Sequence, residues 1–238
     1  IMNPDSSISD KAPEKYRGMS REAARKQIVS DLKDSNHLIK EEDYLHKVGY
    51  SERGNVPIEY YLSEQWFLKM EDLAKPAINA VRNKEINFYP SHWVKTYNHW
   101  MNNIQDWCIS RQLYWGHQIP VWYKKDADRS NQDNWFVSTT PPTDLENWEQ
   151  DNDVLDTWFS SWLWPFAVHG WPDIKTTKYF PTNALVTGPD IIFFWVARMI
   201  MSGYEFMGDL PFKDVYFTSI LRDDKGRKLS KSLGNSPD

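Results

Sequence analysis

The sequence is poor in cysteine and lacks a long apolar run. Cys108 is its one cysteine, so no disulfide can form within the chain, as is typical of proteins from reducing compartments such as the cytoplasm. The longest apolar run lies near Ile191–Met201, and Arg198 interrupts it, so it is too short to cross a bilayer. No secretory signal peptide is recognisable. We therefore expect a cytoplasmic location and no membrane partner.

An excess of positive charge is also missing. The 28 Lys and Arg residues face 33 Asp and Glu residues, which leaves a formal net charge of -5. Domains that bind nucleic acid through their overall charge are usually basic. Any contact with RNA must therefore use a local basic patch.

What the sequence has in abundance is aromatic residues. Its 238 residues include 13 Trp, 12 Tyr and 11 Phe, and 40% of all residues are hydrophobic. Such rings offer much apolar area for burial, which argues against disorder. The length predicts one large domain or two small ones.

Apolar periodicity and turn residues predict the main helices and strands. A helix from Ser20 to about Leu32 should turn Ile28 and Leu32 inward. An aromatic stripe predicts another helix with a core-facing side, formed by Trp93, Tyr97, Trp100, Ile104 and Trp107. Further helices are predicted over Glu71–Arg82 and Ile191–Phe206, and strands over Gln65–Met70, Ile86–Tyr89, Ala184–Val186 and Val215–Leu221.

The order of these elements predicts the fold class. Strand, turn, apolar helix and strand follow one another in the last third of the chain, an order typical of an α/β fold with a parallel sheet. Ligands bind such sheets at the carboxyl ends of the strands, where Gly188–Asp190 and the loop after Leu221 are expected. The polar residues 124–152 are expected to form an exposed loop or small insertion.

The loop Arg222–Lys231 has five basic residues in ten. A solvated surface loop is the ordinary interpretation of such a charge cluster. Here, however, Lys228 and Lys231 alternate with Ser230 and Ser232, and ammonium and hydroxyl donors suit the oxygens of a triphosphate. The sequence contains no P-loop motif, so any phosphate site must differ from that of the P-loop enzymes.

This loop carries a resemblance to a known family. Gly226–Asn235 resembles the KMSKS signature of class I aminoacyl-tRNA synthetases, with Leu229 in place of the usual Met. Trp107–Tyr123 is similar to a segment shared by the valine, isoleucine and leucine enzymes of that class. Asp153–Ser161 and Val186–Trp195 are similar to the valine enzymes, since the isoleucine enzymes typically show V-W-F-D-S-G and G-S-D-Q at these places.

The resemblance implies roles in ATP binding for the loop and for the nearby strand end. Lys228 and Lys231 would bind the ATP phosphates, and Lys231 would also stabilise the charge that develops on pyrophosphate. Ser230 and Ser232 would contribute hydroxyl donors, and Gly188 would let the backbone approach the ribose. Magnesium would accompany ATP.

Other residues would bind the amino acid and the adenylate. Trp158 would wall the valine pocket with Ile191 opposite, although Trp158 alone could equally be a core indole. Asp190 would anchor the polar end of the adenylate, a role compatible with capping a helix. Arg111 either contacts tRNA phosphate or braces the sheet.

The resemblance also implies a domain organisation. Residues 1–62 are similar to the C-terminal tail of the inserted editing domain, and 63–238 to the second half of a Rossmann-like catalytic domain. The 238 residues contain no H-I-G-H motif, and neither editing residues nor anticodon-binding helices are recognised in them. We therefore expect an internal fragment that is inactive in isolation. Ser51 and Gly54 stand where relatives carry zinc-binding cysteines, so no zinc is expected.

The predicted function is therefore that of a valine-type enzyme of this class. Its substrates would be valine, ATP and tRNA(Val), and the full-length protein is expected to be a monomer. Two alternatives remain open from the sequence: an isoleucine enzyme, or a non-catalytic fragment that binds RNA or a protein partner.

Overall fold

The computed structural model describes residues 1–51, 54–173 and 178–236. Contacts between residues divide the chain into two units, Ile1–Glu64 and Gln65–Asp238. Every helix in these described ranges is too short or too polar to span a bilayer.

The first unit contains helix α1 (Arg21–Asp34). The Ser20 hydroxyl caps it by accepting a hydrogen bond from the Ala23 amide at 3.2 Å, as the sequence predicts for its start. The inward orientation predicted for Ile28 and Leu32 is wrong, because they are 39% and 38% exposed. Ala24 is the residue of α1 that is buried, since the small core beside it accommodates only a small side chain.

That core is formed by Ile8, Ala12 and Ala24. The Asp31 carboxylate joins α1 to the preceding turn, pairing with Lys15 Nζ at 2.6 Å and accepting a hydrogen bond from the Tyr16 hydroxyl at 2.6 Å. These contacts, helped by a hydrogen bond from Gln27, lower the pKa of Asp31 to about 2. An ionised carboxylate thus connects two segments of this unit.

The described residues of the second unit form short strands and five α-helices, beside 3₁₀ and π-helical segments. Its strands are β1 (Phe67–Leu68), β2 (Asn87–Tyr89), β3 (Trp107–Cys108), β4 (Ser110–Arg111), β5 (Val121–Lys124), β6 (Trp135–Val137), β7 (Trp148–Gln150), β8 (Val154–Leu155), β9 (Thr182–Thr187) and β10 (Phe212–Phe217). Its helices are α2 (Glu71–Arg82), α3 (Trp93–Asn102), α4 (Thr157–Ser161), α5 (Trp164–Ala167) and α6 (Arg198–Ser202).

A parallel sheet in the order β2-β10-β9 confirms the predicted α/β class. Val215 of β10 pairs with Phe88 on one side and Leu185 on the other. Strand β10 begins and ends earlier than predicted, because its neighbour β9 ends at Thr187. The chain beyond Phe217 then leaves the sheet, and Leu221 is 70% exposed.

Helix α2 has the predicted bounds and buries its small residues Ala74, Ala77 and Ala80. The predicted aromatic stripe holds for Tyr97, which is buried, but not for Trp100, which is 51% exposed. The stripe is also wrong in its last two members, because α3 ends at Asn102. Asp106 lies beyond that end, and its carboxylate accepts the Met70 amide at 3.2 Å. Trp107 then pairs with Leu68 in an antiparallel ladder instead of continuing the helix.

The apolar helix predicted over Ile191–Phe206 is present in a modified form. A 3₁₀ turn covers Pro189–Ile191, and α6 lies between two π-helical segments, Ile192–Ala197 and Gly203–Met207. Its buried residues join α2 and the parallel sheet in the main core.

Residues 124–152, predicted as an exposed loop or a small insertion, are more than a simple loop. They contribute β6, β7 and the last residue of β5 to an antiparallel sheet in the order β6-β5-β7. Ile119, Val121 and Tyr123 form its small core, with Trp66 and Trp135 against it. Contacts between aromatic rings, such as those of Tyr123 with Trp135 and of Phe136 with Trp148, stabilise these strands although their surroundings are polar.

Candidate active site at the ends of the parallel strands

Gly188 follows the carboxyl end of β9 and allows the next turn to fold back on it. A Cβ atom at position 188 would lie 2.5 Å from Asp190 Oδ1, well inside van der Waals distance. The absence of a side chain at position 188 therefore gives the Asp190 carboxylate its place beside the strand end.

The Asp190 carboxylate binds the basic loop. Lys228 Nζ lies 2.5 Å from Asp190 Oδ2, and both side chains are partly exposed. Two predicted site residues, 38 positions apart, are thus brought together at the strand end. An ammonium group has three donors, so this contact leaves Lys228 others to offer to a ligand.

The basic loop folds as a short hairpin. Arg222 and Lys228 form an antiparallel bridge, and the Gly226 amide donates to the Asp223 carbonyl at 2.9 Å. Gly226 has a φ of +75°, which a glycine adopts without strain. Residues 223–226 thus form a tight turn at the tip of this hairpin.

Asp223 and Asn235 join the two ends of this loop. Asn235 Nδ2 donates to Asp223 Oδ2 at 2.9 Å, and Asn235 Oδ1 accepts the Ser230 amide at 2.9 Å. The hydrogen bond from Asn235, and others from Arg227 and Lys225, hold the pKa of Asp223 below its usual value. Neither residue was predicted to have a role, although both flank the lysine–serine motif.

Lys231 and Ser232 lie in a 3₁₀ turn, Lys231–Leu233. Lys231 is exposed and has no ion pair with a side chain in the described ranges. The Ser232 side chain lies outside the described part of the chain. Lys231 is therefore not brought into contact with Asp190 as Lys228 is.

A cavity of about 550 Å³ lies near the helix that follows Asp190. Trp158 and Arg111, both predicted site residues, line it together with Trp107, Asp156 and Arg198. The Trp158 ring stacks on Phe194 at a centroid distance of 6.1 Å. Ile191, predicted opposite Trp158, is half-buried at the end of the 3₁₀ turn and is not among the lining residues.

The Asp156 carboxylate accepts several hydrogen bonds from other residues of this cavity. Its Oδ2 atom accepts hydrogen bonds from Trp107 Nε1 at 2.9 Å and from an Arg111 terminal nitrogen at 2.8 Å. Arg111 also donates to the Cys108 and Ser110 carbonyls. These contacts are the ones expected if Arg111 braces the sheet. A contact of Arg111 with tRNA stays a prediction.

Arg198 is buried beside Asp156 with incomplete hydrogen bonding. Its Nε atom has no partner among the described residues, and its guanidinium lies 3.5 Å from the centroid of the Trp107 ring. Burial lowers the pKa of Arg198 to about 10, which the Asp156 carboxylate partly offsets. The sequence signal for this residue was a single charge inside an apolar run.

A comparison with models of protein families shows to which family the chain belongs. A family model described as tRNA synthetases class I (I, L, M and V) matches residues 6–238. The chain belongs to this family. In the described ranges, no three His, Cys, Asp or Glu side chains are grouped to bind a metal ion.

Curated members of the family are similar along the whole chain. Valine–tRNA ligases of Chlorobaculum tepidum, Treponema denticola and Bacillus subtilis strain 168 are 56%, 53% and 52% identical to it. Each match covers 100% of this chain but only 26–27% of the relative. The chain thus spans about a quarter of the length of these proteins.

Solved structures are similar at the level of the fold. Methionyl-tRNA synthetase of Mycobacterium tuberculosis bound by methionyl-adenylate has a TM-score of 0.51 at 19% identity, covering 79% of this chain and 32% of that one. A second structure of it, in complex with methionyl-adenylate, has a TM-score of 0.53 at 18% identity, with the same coverage.

Proposed function

We propose that this chain forms part of the catalytic centre of a valine–tRNA ligase. The contact that carries the proposal is the ion pair between Asp190 and Lys228, which joins the strand end to the basic loop. The choice of valine is supported by the three similar proteins, each a valine–tRNA ligase. Residues 1–62 would belong to an editing insertion and 63–238 to the catalytic domain.

The reaction proceeds in two steps. A carboxylate oxygen of valine attacks the α-phosphorus of ATP, and the bond to the β-phosphate oxygen breaks, so that pyrophosphate leaves. The terminal ribose hydroxyl of tRNA(Val) then attacks the carbonyl carbon of valyl-adenylate. That hydroxyl loses its proton, and AMP leaves with the electrons of the broken bond to carbon.

The basic loop acts on the first step by electrostatics. Lys228 and Lys231 supply ammonium donors to the phosphates, helped by the Ser230 and Ser232 hydroxyls. Negative charge accumulates on the departing pyrophosphate, and the exposed Lys231 ammonium is suited to stabilise that charge. Positioning and charge stabilisation of this kind account for most catalysis at phosphorus. Magnesium enters with ATP as part of the substrate, and we propose no zinc site.

The strand end and the cavity bind the amino acid side of the adenylate. Trp158 forms an apolar wall, Ile191 faces the same substrate, and Asp190 orients its polar end. Gly188 allows the ribose to approach the backbone. Arg111 is proposed as a contact for tRNA phosphate through the donors that it does not use internally. The complete protein is proposed to act as a cytoplasmic monomer.

ATP–pyrophosphate exchange on the complete protein tests the proposal. We expect exchange with valine at a much lower concentration than with isoleucine. Exchange with isoleucine only would contradict the choice of amino acid. No exchange with either amino acid would favour a non-catalytic protein that binds RNA or a protein partner.

A further inference from the structure

We propose that Asp156 is a positioning residue that fixes the Trp158 indole and thereby sets which amino acid side chain is accepted. This inference rests on the proposed function, in which Trp158 walls the amino acid site. It assigns to a buried carboxylate a role in specificity without contact with the substrate.

The first observation concerns the backbone that carries Trp158. Helix α4 has only five residues, and isolated helices of this length are unstable in water. Asp156 is its N-cap, and Asp156 Oδ1 accepts the Trp158 amide at 3.2 Å. The capping carboxylate therefore holds the residue that presents the indole.

The second observation concerns the other carboxylate oxygen. Asp156 Oδ2 accepts Trp107 Nε1 and Arg111, which lie on β3 and β4, and the Asp156 amide donates to the Ile109 carbonyl at 2.7 Å. One carboxylate thus connects the start of α4 to two strands. A hydrogen bond to a charged acceptor is stronger than one between neutral groups.

The third observation concerns the surroundings of the indole. The Arg198 guanidinium stacks on Trp107 and lies 5.5 Å from the centroid of Phe194, the ring that stacks on Trp158. Arg198 also comes within 4.0 Å of Asp156 Oδ2. The carboxylate therefore acts on Trp158 through its backbone and through the packing of its ring.

Asp156 itself is not placed to take part in the chemistry. It lines the same cavity as Trp158 but is only 7% exposed, whereas Trp158 is half-buried. Its two oxygens already accept three hydrogen bonds. A change at Asp156 should therefore alter the fit of the amino acid more than the rate of its reaction with ATP.

The substitution Asp156→Asn in the complete protein tests this role. The amide keeps the shape of the side chain and one acceptor oxygen. Its nitrogen, however, is a hydrogen-bond donor and cannot accept hydrogen bonds from the donors that surround it. We expect the KM for valine in ATP–pyrophosphate exchange to rise about tenfold, as for other losses of fit in apolar pockets. The kcat and the KM for ATP should stay within about threefold, and the preference for valine over isoleucine should fall about fivefold or more.

A second variant keeps the test valid if Asp156→Asn does not fold. Trp107→Phe removes one donor to Asp156 Oδ2 and keeps an aromatic ring, so it should change the KM for valine and the preference in the same direction, by about threefold. Ile86→Ala is the control for loss of stability alone, because Ile86 is 1% exposed in the main core and does not line the cavity. It should lower the Tm and leave the preference unchanged.

An unchanged KM for the amino acid and an unchanged preference in a folded Asp156→Asn or Trp107→Phe protein would overturn the inference. So would equal rises in the KM for valine and for ATP, or a loss of preference in Ile86→Ala. Exchange by the unsubstituted protein tests the proposed function separately from this inference. If it prefers another amino acid, the proposed function is wrong, and the variants are judged with that amino acid instead.

Discussion

Position 188 shows how a glycine can matter through a neighbouring side chain. Asp190 Oδ1 occupies the place that a Cβ of residue 188 would need, and Asp190 Oδ2 pairs with Lys228. The sequence alone suggested that Gly188 leaves room for a ribose. The structure adds a second reason, because the glycine also leaves room for the carboxylate that binds the loop.

We predict that Gly188→Ala turns the Asp190 side chain away from Lys228. Because the atom in the way is the end of a side chain, the protein should remain folded, with its Tm lowered by only a few degrees. An exposed ion pair contributes at most ~1 kcal/mol, so the KM for ATP should rise about threefold to fivefold. Steady-state ATP–pyrophosphate exchange measures this change.

The same substitution in an Asp190→Ala background is the control. Without the carboxylate the new Cβ has room, and Gly188→Ala should then have no further effect. Equal effects in both backgrounds would show that the ribose, and not Asp190, requires glycine at this position.

The two lysines of the loop should differ in their effects. Lys231→Ala should lower the kcat of exchange roughly 10- to 100-fold, because a charge-assisted hydrogen bond contributes about 1.5–3 kcal/mol. Lys228→Ala should also raise the KM for ATP, since it removes the partner of Asp190. Exchange rates measured over a range of ATP concentrations up to saturation separate these two constants.

Lys225→Ala is the matched control for both lysines. Lys225 is exposed in the same hairpin, and its backbone amide, which the substitution retains, donates to Asp223. An equal fall in kcat for Lys225→Ala would show that the effect depends on the net charge of the loop and not on the position of each lysine.

Residues in linear motifs could be selected from the sequence, but their partners could not. Lys228 and Asp190 were both selected, yet their contact joins positions 38 residues apart. Asp156 and Arg198 were overlooked because their importance lies in burial and shared hydrogen bonds. Neither property leaves a periodic signal in the chain.

At the scale of an element, α1 should respond to acid through Asp31. Its pKa is lowered to about 2 by Lys15, Tyr16 and Gln27, from 3.8 in the ordinary state. A carboxylate with a lowered pKa contributes stability that is fully present above pH ~4 and is lost as the pH falls towards 2. We predict an NMR titration midpoint near 2 for the Asp31 carboxyl.

The substitution Asp31→Asn supplies the comparison. The amide protons of α1 should exchange faster in the variant at neutral pH, after correction for intrinsic rates. This difference should shrink as the pH approaches 2, where about half of the native carboxylates are protonated, and should disappear below it. A midpoint near 4 in the native protein would contradict the role of these contacts.

Among the elements, those with local causes were predicted best. Helix α2 has its predicted bounds because small apolar residues recur on one face. The stripe from Trp93 to Trp107 was misleading, since its last member belongs to a strand whose partner, Leu68, lies far back in the sequence. The strands within 124–152 were missed because their stabilising rings are separated by polar residues.

At the scale of the whole molecule, the two units should differ in independent stability. The core of residues 1–64 centres on Ile8, Ala12 and Ala24, whereas the second unit has a far larger cluster of buried residues. A domain of about 60 residues buries a smaller fraction of its surface than a larger one and is only marginally stable alone. We predict that residues 65–238 unfold cooperatively and that residues 1–64 by themselves do not.

Circular dichroism of each separate piece during heating, together with tyrosine fluorescence of residues 1–64 and tryptophan fluorescence of residues 65–238, measures this difference. A sharp transition in the first piece would show that contacts outside its apolar core suffice. A broad transition in the second piece would show that its sheet and helices need further chain to pack.

The strand order has a consequence for biosynthesis. Strand β10 lies between β2 and β9 and is the last of the three to leave the ribosome. Neither earlier strand can pair with β10 until residue 217 has emerged, and such distant pairings form slowly. During translation, the sides of β2 and β9 that pair with β10 therefore remain open to a chaperone until the strand that joins them appears.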